Sequence, residues 1–140
     1  MDQLELKWTT RNARKNQTQQ TFMDFVVNGK ALSELIGRDL ISCLGWLPAP
    51  SNDEHLKRLL LLSGTDLPSG RRSLYVCPEC GDPGCGVIGA VIEQIGREIT
   101  WRDFVHEGGS SEIAPESLEV GPFRFDADQY RSALALTFSI

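Results

Sequence analysis

The chain has little of what the commoner catalytic machines are built from. It contains two histidines, His55 and His106, and no G-x-S-x-G elbow, phosphate-binding P-loop or H-E-x-x-H pair. An enzyme needs groups placed to exchange protons or to attack, and no such set is legible. Long apolar runs are missing as well. The longest strongly apolar block is residues 59–62, far short of a membrane span, and residues 1–8 show no basic stretch followed by an apolar one. The expectation is a cytoplasmic protein, not an enzyme, with no membrane partner. Cysteine is sparse too: Cys43 stands alone, and Cys77, Cys80 and Cys85 are packed together. That is no extracellular disulfide framework, and in a reducing compartment it suggests a metal or plain thiols.

What is present suits one compact domain over residues 1–140, long enough to bury a hydrophobic core. Hydrophobic residues make up 41% and charged residues 24%, a balance that excludes wholesale disorder. The net charge of -5 conceals an asymmetry: residues 1–72 carry 10 Lys/Arg against 8 Asp/Glu, residues 73–140 carry 4 against 11. Nucleic-acid binding is driven by cations that displace counterions, so the acidic half argues against a nucleic-acid partner. The same half would attract a basic protein.

Residues 4–10 alternate Leu4, Leu6 and Trp8 against Glu5, Lys7 and Thr9, the pattern of a half-buried strand. Residues 21–29 read as a second strand closed by Asn28-Gly29, and residues 30–37 as a short helix stopped by Gly37. A further helix is expected after the Pro-rich turn, with Ser51, Asn52 or Asp53 as its cap, Gly64 as its end and a buried last turn. Residues 73–76 read as a strand entering the cysteine stretch. Residues 87–95 and 97–107 form an antiparallel hairpin around Gly96, with Ile99, Trp101, Asp103 and Val105 expected on one face of its second strand. A long polar loop precedes a strand at residues 123–125 and an Asp-led C-terminal helix. Trp46, Trp101, Phe104, Phe123, Phe125 and Tyr130 read as core. The order gives an α+β domain with a mainly antiparallel sheet and about three helices.

Residues 75–96, YVCPECGDPGCGVIGAVIEQIG, satisfy two motifs with incompatible chemistries. Gly84, Gly86 and Gly89 match G-x-G-x-x-G, whose glycines let a backbone close on a pyrophosphate, and which needs a following helix inside a βαβ unit. Too little chain follows for a doubly wound sheet, and residues 92–101 suit a hairpin turn better than a return to a parallel strand. Cys77 and Cys80 have instead the spacing, with Pro78 and Gly81, of a zinc knuckle. Cys85 would be a third ligand and His106 the best fourth, with Cys43, Glu79 and Asp82 as alternatives. The cofactor expectation is therefore none, or one structural zinc. Redox use of Cys77 and Cys80 would need a helix starting at the motif, which residues 81–86 do not begin.

Residues 74–104, followed by GPFRFDADQYRSAL at residues 121–134, are similar to a family of small uncharacterised bacterial proteins. Its marks are a C-P-E-C-G-D-x-G-C-G segment, a strand, W-x-D-F and a late F-x-F-D-x-x-x-Y. Some members carry an oxidoreductase label; the resemblance implies no established activity.

Small, acidic, single-domain cytosolic proteins include immunity proteins, which neutralise basic toxins such as nucleases through acidic surfaces. The expected function is of this kind, with a cognate toxin as protein partner and Glu79, Asp82, Asp103, Glu107, Glu112, Glu116 and Glu119 as the binding acids. A zinc-knuckle adaptor, or a thiol or NAD(P)-dependent oxidoreductase, is the alternative. Asp103 and Glu107 share a strand face by period two alone, so their spacing does not make a catalytic pair.

Overall fold

A computed structural model describes residues 1–11, 19–78, 86–108 and 114–138, with side chains to residue 135. Two antiparallel sheets form. β1 (Leu4–Arg11) pairs with β2 (Gln20–Val27), and β2 turns through Asn28 and Gly29, at φ 54° and 82°, into β3 (Lys30–Ala31). The second sheet runs β4 (Ile41–Ser42), β5 (Arg72–Val76), β6 (Val87–Ile95), β7 (Glu98–Glu107). On its outer edge β7 carries two short strands, β8 (Glu116–Ser117) and β9 (Phe123–Asp126). The helices are α1 (Leu32–Ile36), α2 (Ala49–Leu59) and α3 (Ala127–Phe138). The chain is thus α+β with mostly antiparallel pairing, as expected.

The two sheets are stitched at both margins. Asp2 bridges to Phe125, with its N–H donating to the Arg124 carbonyl at 2.8 Å. At the other margin the Met23 N–H donates to the Leu44 carbonyl at 3.0 Å, and Ser42 Oγ donates to the Met23 carbonyl. Between them lies one core with residues from both sheets. Trp101 is its centre, with Phe25, Phe125 and Tyr130 edge-on to it at 5.3, 5.4 and 6.0 Å. Edge-to-face packing places the positive ring rim on the negative face, adding to the burial of large apolar area. The polar ends are satisfied in series: Trp101 Nε1 donates to the Tyr130 hydroxyl, which donates to the Leu59 carbonyl at 2.6 Å. Phe123 is half-buried against this cluster and Trp46 against a second, smaller one.

Four expectations are corrected. Trp8 is 61% exposed, whereas Leu4 at the start of the same strand is buried beside Gln129 of α3. α2 begins at Ala49, after Pro48, with no side-chain cap. Proline in the first turn brings no N–H and a preset φ, so fewer amides need capping, and Asn52 Oδ1 accepts the Gly45 N–H instead. The helix stops at Leu60, before Leu61 at φ 63°, and Leu62 is exposed. On β7 the expected alternation breaks at a bulge. The register passes from Gly89↔Val105 to Val91↔Arg102, so β7 spends one extra residue; Asp103 points outward and Phe104 into the core.

α3 starts as read: Asp126 Oδ2 accepts the N–H groups of Asp128 and Gln129 at 3.1 and 3.0 Å. No helix of the described residues is long and apolar enough to cross a membrane.

Candidate functional site

The bulge builds the site. β9 pairs with β7 over Glu98 to Trp101 and β8 with Val105 and His106, so the outer edge of β7 is open at residues 102–104. Asp103 sits there at φ 54°, a left-handed conformation that a non-glycine residue holds only when its surroundings impose it. Opposite, residues 117–122 cross the opening, tied by the Leu118 N–H donating to the Phe104 carbonyl at 2.9 Å. Gly121, at φ 75°, lets this segment close down on the core: a Cβ there would lie 2.9 Å from Phe104 Cε1. The result is an open groove of about 490 Å³, with Phe104, Leu118 and Pro122 among its apolar lining and Arg71, Asp103 and Glu119 among its polar lining.

Ion pairing separates the candidate acids. Arg71 donates from Nε to the Asp103 carbonyl at 2.8 Å and from Nη1 to Glu107 at 3.3 Å, both side chains being mostly buried. Arg38 holds Glu116 at 2.6 Å, and this hydrogen bond, with the guanidinium charge, depresses the Glu116 pKa. Asp103 is met by the neighbouring, largely exposed Arg102, which also bonds Glu93 at 2.9 Å; the Glu93 bond leads in raising the Arg102 pKa. Glu119 is exposed and makes no ion pair among the described residues. Glu107 and Glu116 therefore each carry a guanidinium counterion. The groove keeps Asp103 and Glu119. Glu79, Asp82 and Glu112 lie outside the described residues.

Arg38 and Arg71 are the residues sequence reasoning missed. They come from the cationic half and meet carboxylates 78 and 36 positions away. No short-range pattern records such pairings.

Just beyond the groove, at the same C-terminal end of β7, stand the two described metal candidates. Cys77 follows β5 and is half-buried; Gly86 precedes β6, so the two flank the mouth of the β5–β6 connection. His106 pairs with Ile88 on the next strand, and its Nε2 lies 3.1 Å from where a Gly86 Cβ would be. Cys80 and Cys85 lie outside the described residues. Cys43, the alternative ligand, is buried in the smaller core cluster, and burial pushes its thiol up to about 12. Among the described residues no group of three or more His, Cys, Asp or Glu could hold a metal.

Residues 87–95, where the glycine fingerprint requires a helix, are strand β6. The dinucleotide reading therefore lacks the helix N-terminus on which a pyrophosphate would rest. His55, on α2, is half-buried beside Arg58, and burial together with that guanidinium lowers its pKa. Two serine hydroxyls do meet carboxylates: Ser33 Oγ donates to Asp24, which the Tyr75 hydroxyl also bonds, and Ser73 Oγ donates to Asp66, at 2.5 Å for each serine. Neither is bonded to a histidine among the described residues, so each is a local structural pair.

Comparison with protein-family models, with curated proteins and with solved structures finds no match to this chain.

Proposed function

We propose that the protein is an inhibitory binding module, an immunity protein that neutralises a basic bacterial toxin, and that it takes a basic side chain of that partner into the groove beside Asp103. The observation that carries the reading is the groove itself: an apolar floor and two carboxylates, Asp103 and Glu119, with more than half of the Asp103 side chain exposed. A lysine or arginine entering there would replace the exposed Arg102 at Asp103 and add Glu119, while its stem lies on Phe104 and Leu118. A basic nuclease supplies such side chains on its phosphate-binding surface, and the seven-charge acidic excess of residues 73–140 would speed the encounter.

The test is inhibition of the catalytic domain of a basic secreted nuclease encoded beside the gene, measured with the wild-type chain and with Asp103→Asn combined with Glu119→Gln. Tight inhibition that the double substitution weakens ~10-fold or more supports the reading. Absence of inhibition by the wild-type chain overturns it.

A structural zinc is a second reading, favoured by the placement of Cys77 and His106 about one connection whose sequence supplies Cys80 and Cys85. The ion would pin the β5–β6 connection to β7. About one zinc per chain by elemental analysis, with thiols unreactive until a chelator removes it, supports this; a metal-free chain with free thiols opposes it.

A further inference from the structure

Beyond Leu4, no described residue hydrogen-bonds its backbone to the outer edge of β1. Gln129 spans its first residue, donating to the Leu4 carbonyl at 2.7 Å and accepting the Leu4 N–H at 3.1 Å. Leu4 therefore turns its backbone polar groups away from β2, and by alternation so do Leu6, Trp8 and Thr10, while Glu5, Lys7, Thr9 and Arg11 make the ladder with β2. The approach of Thr10 Oγ1 to Thr21 Oγ1, 3.2 Å across the strands, fits a pair that exchanges no backbone hydrogen bonds. An unpaired edge is a template for another strand unless bulges, proline or inward charges blunt it, and residues 5–10 contain no proline and no bulge.

Trp8 is the middle of that edge. Its indole is exposed on one side and lies against Gly45 on the other: a Cβ placed on Gly45 would lie 2.9 Å from Trp8 Cζ3. An exposed indole offers a large apolar area to whatever covers it, and aromatic residues of this kind are enriched at interfaces.

We propose that β1 pairs antiparallel with β1 of a second copy of this chain, with Trp8 opposite Trp8 on the twofold axis. The free edge is bounded by Leu4, which Gln129 occupies, and by Arg11, whose guanidinium is held by Asp39 and Gln20. Within those limits one twofold register uses all three outward residues: Leu6 faces Thr10, Trp8 faces Trp8, Thr10 faces Leu6, forming about six backbone hydrogen bonds. That register is compatible in charge, because Lys7 then faces Thr9 and Glu5 faces Arg11. Moving the axis to Lys7 would set two lysines against each other, and moving it to Leu6 would require displacing Gln129. The pairing joins two three-stranded sheets into one of six and covers both indoles.

The test is mass by sedimentation velocity over about 1 to about 200 μM wild-type chain, together with amide exchange at low and high concentration. Expected is a rise from the 15.5 kDa monomer toward twice that mass, with the Leu6, Trp8 and Thr10 amides gaining protection on concentration and those of Lys7 and Thr9 protected throughout. Thr10→Pro, which deletes one outward donor and keeps both the β2 ladder and Trp8, should weaken self-association ~10-fold or more without loss of the circular dichroism of the fold. A chain that stays monomeric over the range overturns the proposal, as does a dimer in which those three amides exchange unchanged. The β1 edge and the groove at β7 are read by different experiments, so either can fail alone.

Discussion

The buried carboxylate of Asp24 should be worth more to the fold than any surface ion pair. It lies on β2, 1% exposed, and is bonded by the Tyr75 hydroxyl from β5 and by Ser33 Oγ from α1. One side chain thus fastens the two sheets and the first helix together. Tyr75→Phe keeps the ring and its edge contact with Phe25 at 5.7 Å and removes only the donor to Asp24. A hydrogen bond to a buried charged group is worth about 1.5–3 kcal/mol, and its loss leaves an acceptor that water cannot reach. At an unfolding entropy of roughly 2 cal/mol/K per residue, a 140-residue domain loses about 3–4 °C per kcal/mol, so the midpoint should fall by about 5–10 °C. Urea titration with an unchanged m-value would show that stability and not compactness has altered. In a double-mutant cycle with Asp24→Asn, the coupling should be ~1 kcal/mol or more. The pH sign follows from the phenol. Burial, then the Asp24 charge, raises the Tyr75 pKa above its ordinary 10, so the neutral form is favoured in the fold. That contribution is complete below pH 10 and drains away above it as the unfolded chain ionises, and Tyr75→Phe should lessen the alkaline loss. A cost below ~0.5 kcal/mol would refute the reasoning, because the carboxylate would then be satisfied without Tyr75.

Gly121→Ala should cost more than Gly96→Ala, although both glycines have positive φ. At Gly96, φ 62°, a new methyl meets open space, so about 1–2 kcal/mol of backbone strain is the whole penalty; at Gly121 it also strikes Phe104. Equal losses in chemical denaturation would mean that residues 117–122 are not held against the core. Cys43 should resist thiol reagents at pH 8 in the folded chain. Its raised thiol also makes stability fall by about 1.4 kcal/mol per pH unit above the ordinary value of 9, up to about 12, and Cys43→Ala should flatten that slope in thermal melts.

Much of the fold was legible where one physical rule dominated. Gly96 between two alternating runs gave the β6–β7 hairpin, and Asp126 ahead of an apolar helical pattern gave the start of α3. The core aromatics followed because Trp101, Phe104, Phe125 and Tyr130 are too large to leave exposed in numbers. The bulge was not legible: inserting one residue changes no composition, yet it exchanges the faces of Asp103 and Phe104. Trp8 shows the complementary limit. Alternation tells which residues share a face of β1 but not how far the opposite layer extends over it. β8 and the groove were hidden in a loop whose two-residue strand is defined by its partner, Val105 and His106, and not by its own sequence.

The charge asymmetry of the sequence has a different meaning once folded. Arg38 and Arg71 belong to the half with a small positive excess, and both are spent on carboxylates of the acidic half, Glu116 and Glu107. A field summed over residues 73–140 overstates the local attraction at those two positions, since a guanidinium within 3.3 Å of a carboxylate cancels most of its field at distances larger than the pair itself. On the reading proposed above, selective recognition would rest on the carboxylates left without a buried counterion. Asp103 is kept out of the core by a left-handed backbone that places Phe104 inward in its stead, and its counterion among the described residues is an arginine with a side chain nearly half exposed. Strain of this kind costs of order 1–3 kcal/mol, which the burial of Phe104 and the Arg71 bond to the Asp103 carbonyl offset. The same bulge therefore makes the core at Phe104 and the acidic rim at Asp103, and a substitution that straightened β7 would lose both together.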